Sequence, residues 1–343
     1  MTFDPRNILV IDFGQLGDVV LSLPALRAIR AQFPGARITA AVGRPSAGII
    51  ELSGYADQVI EVDRVAMRDG FKPLSILKLV AVVKDVRRRR FDFVIDLHSF
   101  SETNLLGFLS GAPQRLFARR RGRSLDFLAN FRPPPPREET NRTRHQIDRY
   151  LDVLQPLGSL DAQRVPALKT APGNDPHVDK LLQKAGANSG APLVGLFPGA
   201  GHEERRWPLT KFAQLAEVLI HSDGVRPVVF AGPEERQLIS EIRATFPTGT
   251  VVLDRLTIRQ LAAALARLSV FVANDTGPMH IAALVGTPIV LLLDRRAPDT
   301  YIPLQEPKRV IYSSTIPDIS VEDVYGAARA LLGSNRAETL FAG

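Results

Sequence analysis

The 343-residue sequence contains no cysteine. Disulfides and thiolate zinc sites are therefore excluded, and a reducing compartment fits that composition. No apolar run approaches the roughly 18–20 residues that a membrane-spanning helix needs. The opening MTFDPRNILVID sets Asp4 and Arg6 before a short apolar run, which reads as a strand and not as a secretion signal. Asp-x-Asp occurs nowhere, and no histidine–carboxylate cluster has metal-ligand spacing, so no metal requirement is expected.

What is present is an ordinary globular composition, 45% hydrophobic and 23% charged, long enough for two domains that each bury a core. The formal net charge is +7, and it is local. Between Lys84 and His145 stand 14 Lys/Arg and 7 Asp/Glu, a surplus equal to that of the whole chain. Such a patch points to an anionic partner: nucleic acid, phosphorylated lipid headgroups or a phosphorylated sugar. A solvated, mobile loop face accounts for it equally well.

Short apolar runs alternate with amphipathic segments. Ile8–Ile11, Ile38–Val42, Gln58–Val62 and Phe91–Leu97 read as buried strands, and the segments between them carry helical spacing. That alternation predicts βαβ units and a parallel sheet. The pattern breaks at RRRGRSLDFLANFRPPPPREETNRTR, a long loop beside a short amphipathic element. A helix is predicted over His145–Leu157, then a linker, GSLDAQRVPALKTAPGNDP. A second series follows in Pro192–Phe197, Pro227–Gly232, Thr250–Leu253, Val270–Asn274 and Pro288–Leu293. A last helix opens with Ser320 and Asp323 in capping-box spacing. The expected organisation is residues 1–165, residues 166–318, and a final helical segment, 319–343, that returns to the first domain. The fold class is α/β, with two doubly wound domains facing across a cleft lined by the C-terminal strand ends.

Three strand–helix junctions carry unusual residues. In IDFGQLGDVV, Gly14 and Gly17 allow a tight turn, and Asp18 falls at the helix start. Two roles fit Asp18: complementing the helix dipole, or acting as a general base. In GLFPGAGHEERRWP, Gly199-Ala200-Gly201 expose backbone amides while Arg205 and Arg206 add cationic forks, a combination suited to a diphosphate. It lacks the Lys-Ser/Thr ending of a P-loop. In NDTGPMH, Asp275 ends a strand, Thr276 and Gly277 turn the chain, Pro278 enters the helix and His280 lies on its first turn. The free amides there would face an anion. Glu234 and Glu235 suit ribose hydroxyls or a helix start, and His98 suits an acceptor contact or core packing.

Together these segments resemble the heptosyltransferases of glycosyltransferase family 9, which have a two-domain GT-B fold of Rossmann-like domains. The likeness runs through ILVIDFGQLGDVVLSLPALRAIRAQFPGARI, FDFVIDLH, GAPQRLF, HQIDRYLDVLQPLG, VGLFPGAGHEERRWPLTKFAQLAEVL, VFAGPEE and VANDTGPMHIAALVGTPIVLL, in order along nearly the whole chain. The resemblance implies inverting transfer of heptose from ADP-heptose to the lipopolysaccharide inner core, on a Kdo or heptose acceptor. It matches Asp18 to the acid proposed as general base. It matches Arg205 to a donor-phosphate contact where the family carries Lys, Asp275 to the heptose hydroxyls, Thr276 and Gly277 to a backbone phosphate seat, and His280 to the motif histidine. Gly199, Ala200, Arg206, Glu234 and Glu235 join the expected donor group. Asp12, Gln15, Gly17, His98, Arg119 and Arg120 form the expected acceptor group. Asp12 stands where many members carry a basic residue, and Gln15 where Ser is frequent, so the departures concentrate on the acceptor side.

The implied partners are ADP-heptose, the lipopolysaccharide core and an anionic inner-membrane surface. The expected protein is a monomer, peripheral on the cytoplasmic face, without cofactor or metal and without nucleic acid. A related GT-B transferase with another nucleotide-sugar or acceptor, or a nucleotide-sugar epimerase, would share the donor site. A dinucleotide oxidoreductase fits poorly, because the third fingerprint glycine is missing and Gly43-Arg44 stands where an acid belongs. A nucleic-acid binder fits poorly too, because the basic run has few interleaved aromatics.

Overall fold

The computed structural model describes residues 3–63, 73–122, 124–138, 143–158, 163–184 and 190–341. It divides into two compact units, Met1–Thr170 with Asp299–Ile302, and Ala171–Pro298 with Pro303–Gly343. The division falls inside the predicted linker.

The first unit holds strands β1 (Asn7–Asp12), β2 (Arg37–Gly43), β3 (Gln58–Val62), β4 (Phe93–Asp96) and β5 (Gln114–Phe117). They form one parallel sheet in the order β3-β2-β1-β4-β5. Buried on both faces, β1 reads as a continuous apolar run and not as an alternation. Helices α1 (Leu16–Gln32), α2 (Ala47–Ser53), α3 (Pro73–Arg88), α4 (Ser101–Leu109) and α5 (Gln146–Val153) accompany it. The helix predicted over His145–Leu157 is shorter than expected. His145 caps α5, its Nδ1 accepting the Ile147 amide at 3.2 Å, and a 3-10 turn, Gln155–Leu157, follows.

The second unit holds α6 (Pro176–Lys184), β6 (Leu193–Phe197), α7 (Leu209–Asp223), β7 (Arg226–Ala231), α8 (Ile239–Thr245), β8 (Val251–Asp254), α9 (Ile258–Leu265), β9 (Val270–Asn274), α10 (Gly277–Leu284), β10 (Ile289–Asp294), β11 (Lys308–Ser313) and α11 (Val321–Phe341). The sheet order is β11-β10-β9-β6-β7-β8, again parallel. The Ser320 hydroxyl accepts the Asp323 amide at 3.1 Å, the cap that the sequence predicts for α11. Helix α11 packs on α7, β9, β10 and β11. Among the described residues, no helix is long and apolar enough to cross a membrane.

In each sheet the strand order reverses once, between β1 and β4 and between β6 and β9. Ligands of doubly wound sheets bind outside the C-terminal strand ends at such reversals. All three junctions singled out in the sequence lie there.

Candidate active site

Strand β1 ends on buried Asp12, whose Oδ1 accepts the Gly14 amide at 2.8 Å and so bends the chain out of the sheet. A Cβ at Gly14 would stand 2.5 Å from the Asp18 Cβ and 2.9 Å from Asp12 Oδ1. Glycine is what lets the turn pass between two carboxylates. Asp18 lies in the first turn of α1 and its Oδ2 accepts the Gln15 amide at 2.9 Å, so the dipole-complementing role predicted for an acid there is met. Gln15 itself is exposed, and Gly17 is half-buried on the same turn.

Asp12 and Asp18 are driven apart electrostatically. Burial raises the Asp18 carboxyl above its ordinary value, and the Asp12 charge adds to this, against lowering by His98, the Gln15 amide and Arg120. Burial also opposes ionisation of Asp12, but His98, Ser22 and the Gly14 amide outweigh it and hold Asp12 low. His98 Nδ1 lies 3.4 Å from Asp12 Oδ1 and 3.4 Å from the Tyr150 hydroxyl. Asp12 Oδ2 is buried without a hydrogen-bond partner.

The His98 position is built by the end of β4. Asp96 Oδ1 accepts the His98 amide at 3.1 Å and the Ser99 amide at 2.7 Å, while Oδ2 accepts from Asn104 Nδ2 at 2.8 Å. Burial pushes the Asp96 carboxyl up to about 6. Ser99 takes a left-handed φ of 55°, which turns the chain into α4. The imidazole rests on Phe100 with ring centroids 4.3 Å apart, and the Arg120 guanidinium lies 5.7 Å from the same ring. Arg120 thus joins the cluster while also facing Glu138 at 3.9 Å. Arg119, grouped with it in the sequence, faces Asp126 at 3.9 Å instead.

In the second unit, Asn274 at the end of β9 joins two junctions. Its Oδ1 accepts the Trp207 amide at 3.1 Å, and its Nδ2 donates to the Gly199 carbonyl at 3.1 Å. Buried Trp207 donates its indole N–H to the Ile319 carbonyl at 3.0 Å. Arg206 donates through Nε and Nη2 to the Ala200 carbonyl at 3.1 and 3.0 Å. Its fork fastens the loop, whereas Arg205 is exposed at the end of a 3-10 turn, Glu203–Arg205.

Thr276 caps α10, with Gly277 and Pro278 opening the helix as predicted, and its hydroxyl donates to the Asn274 carbonyl at 3.2 Å. Asp275 Oδ1 lies 3.8 Å from Nε2 of buried His280. Glu235 is buried, its Oε2 accepting the Gly232 amide at 3.0 Å and its carboxylate lying against Gly199. Burial raises its pKa, with neighbouring Glu234 adding to this. Glu234 is exposed.

The arrangement sets the half-buried Asp18 carboxylate, its pKa raised, beside a buried Asp12–His98 pair in one unit, and a helix N-terminus and an exposed arginine in the other. The model of glycosyltransferase family 9 (heptosyltransferase) matches residues 79–326. The chain belongs to glycosyltransferase family 9. It is 27% identical over 323 residues to lipopolysaccharide heptosyltransferase 2 of Escherichia coli K12, covering 89% of this chain and 87% of that one. A family 9 glycosyl transferase structure from Veillonella parvula superposes with a TM-score of 0.82 at 25% identity, covering 97% of this chain and 99% of that one. The E. coli ADP-heptose lipopolysaccharide heptosyltransferase II structure does so at 0.79 and 23% identity, covering 96% and 100%. The fold is GT-B, built of two Rossmann-like domains, and family 9 enzymes transfer glycosyl groups.

Sequence reasoning missed Asp96, Asn104 and Tyr150. Asp96 stands in FDFVIDLH directly before the turn, where a strand-end acid could have been noticed. Tyr150 lies 52 positions from its partner His98, and no local signal joins them.

Proposed function

We propose that the chain transfers a heptose from ADP-heptose to the lipopolysaccharide inner core, with inversion at the anomeric carbon. The names of its relatives support the donor and the acceptor class. The observation that carries the mechanism is Asp18, a half-buried carboxylate whose environment raises its basicity. A sugar hydroxyl is a poor nucleophile and needs a base as it attacks. In this reading the acceptor hydroxyl gives its proton to Asp18, its oxygen bonds to the anomeric carbon, and the bond from that carbon to the ADP oxygen breaks. His98, Gln15, Gly17 and Arg120 contact the acceptor, with buried Asp12 fixing the turn beneath it.

The diphosphate is met by Arg205, the amides of Thr276 and Gly277, the Gly199-Ala200 backbone and His280. Asp275 takes the heptose hydroxyls, and Glu234 and Glu235 the ribose. No metal takes part. Asp18→Asn is expected to keep ADP-heptose affinity while lowering turnover about 10²–10⁴-fold, the range for loss of a general base. Calorimetric affinity and ADP release are measured on one sample. Turnover within a few-fold of wild type refutes the role of Asp18.

A further inference from the structure

Eight large apolar side chains are exposed among the described residues, and five of them lie on neighbouring elements of the first unit. These are Leu77 and Val80 on α3, Leu105 and Phe108 on α4, and Phe127 on the 3-10 turn Asp126–Leu128. Helix α3 packs beside α4, and the turn lies against α4. The inward sides of these elements are already used. Val82, Val83, Val86, Leu106 and Leu128 share one core with alternate residues of the sheet. That core does not account for Phe127, 76% exposed, or Leu77, 66% exposed.

The outer face is fastened, and it is cationic. Arg115 lies 5.4 Å from the centre of the Phe108 ring and donates to the carbonyls of Leu128 at 3.0 Å and Ala112 at 2.6 Å. One side chain thereby ties Phe108 to the turn that carries Phe127. Lys84, Arg87 and Arg88 are exposed along α3, with Arg121 and Arg132 exposed on the loop that holds the turn. Against these stand exposed Glu102, and Asp85 and Asp126, which face arginines at 2.9 and 3.9 Å. Exposed Phe and Leu rimmed by Lys and Arg complement both layers of an anionic lipid surface: acyl chains for the rings, phosphodiesters for the rim.

We infer that the outer face of α3 and α4, with the turn Asp126–Leu128, docks on an anionic phospholipid bilayer. This rests on the reading of a lipid-borne acceptor, and it connects to that reading structurally. Helix α4 starts immediately after the His98–Ser99 turn, so the docked face adjoins the strand end proposed to receive the acceptor.

The test uses the full chain and vesicles of equimolar phosphatidylglycerol and phosphatidylethanolamine, with phosphatidylcholine vesicles as control. Wild type is expected to co-sediment with the anionic vesicles only. The triple variant Leu105→Ser, Phe108→Ser, Phe127→Ser should lose about tenfold or more in partitioning, as should Lys84→Gln, Arg87→Gln, Arg121→Gln. Circular dichroism confirms that the variants are folded, since the altered side chains are exposed. Both should transfer to a soluble, deacylated core acceptor at the wild-type rate. Partitioning unchanged in both variants overturns the inference. So does wild type sedimenting as a dimer that the triple variant converts to a monomer without loss of vesicle binding, because the face is then a contact between copies. Failure of transfer to the soluble acceptor by wild type would instead refute the functional reading, leaving the vesicle result to stand on its own.

Discussion

Around Gly14 two carboxylates meet different fates: Asp12 is held low and Asp18 is raised. Groups pushed apart in this way commonly divide catalytic labour, one staying ionised and the other working as acid or base. With Asp18 as base, turnover falls as pH drops through its raised pKa, because only the ionised carboxylate accepts a proton. His98 is the largest influence opposing that rise. His98→Gln should therefore move the acidic limb of the turnover profile to higher pH. A limb that stays in place, or moves down, removes His98 from the electrostatics of the base. Arg205 belongs to the same scale. Exposed, while Arg206 fastens the loop, it is the arginine that the proposed reading assigns to the diphosphate. Arg205→Ala should weaken ADP binding by about 1.5–3 kcal/mol, the worth of a charge-assisted hydrogen bond. Unchanged ADP affinity by calorimetry sinks that role. Asp18, Arg205 and Asp275 could be singled out from the sequence because motif residues cluster at junctions. Tyr150, a partner of His98, could not, since it lies 52 positions away and reaches the imidazole only through folding.

Elements were legible where burial is two-sided. The central strands β1, β6, β9 and β10 appear as unbroken apolar runs, because parallel strands covered on both faces need no polar alternation. Of the four edge strands, β3 and β8 were still legible, but β5 and β11 were not. In β5, QRLF, two of four residues are only partly buried, and in β11, KRVIYS, none is fully buried; neither reads as a strand. Boundaries slip by one or two residues, as at Phe91–Leu97 against β4, because apolar residues extend past the last ladder bond. The loop after β6 shows the same limit from another side. Its glycines signal close backbone approach, but what approaches Gly199 is the chain's own Glu235 carboxylate, anchored on the Gly232 amide. Gly199→Ala should press a methyl into that buried carboxylate and destabilise the second unit by about 1–3 kcal/mol, the usual cost of overpacking. Adding Glu235→Ala should recover much of the loss, since the two positions touch and their effects are not additive. Equal thermal stability of Gly199→Ala and wild type refutes the contact.

At the scale of the whole chain, the doubled α/β pattern and the Pro/Gly-rich stretch predicted two units, and the break falls within that stretch at Thr170–Ala171. The assignment of Asp299–Ile302 to the first unit was not legible, because a four-residue segment carries no periodicity of its own. Charge distribution is also a property of the whole chain, and it bears on the chemistry. A nucleoside diphosphate leaving group brings concentrated negative charge, which a glycosyltransferase neutralises with a divalent ion, commonly held by paired acids, or with fixed cations and dipoles. This chain has a net charge of +7 and no Asp-x-Asp. It does have Arg205, the α10 N-terminus at Thr276–Gly277 and the glycine-rich loop after β6, all in the second unit. Neutralisation by these fixed groups requires no exchangeable ion. EDTA should therefore leave turnover with ADP-heptose within a few-fold of the untreated rate, and added magnesium should not raise it. Loss of turnover in EDTA with recovery in magnesium would transfer the role of Arg205 and the helix amides to a bound cation.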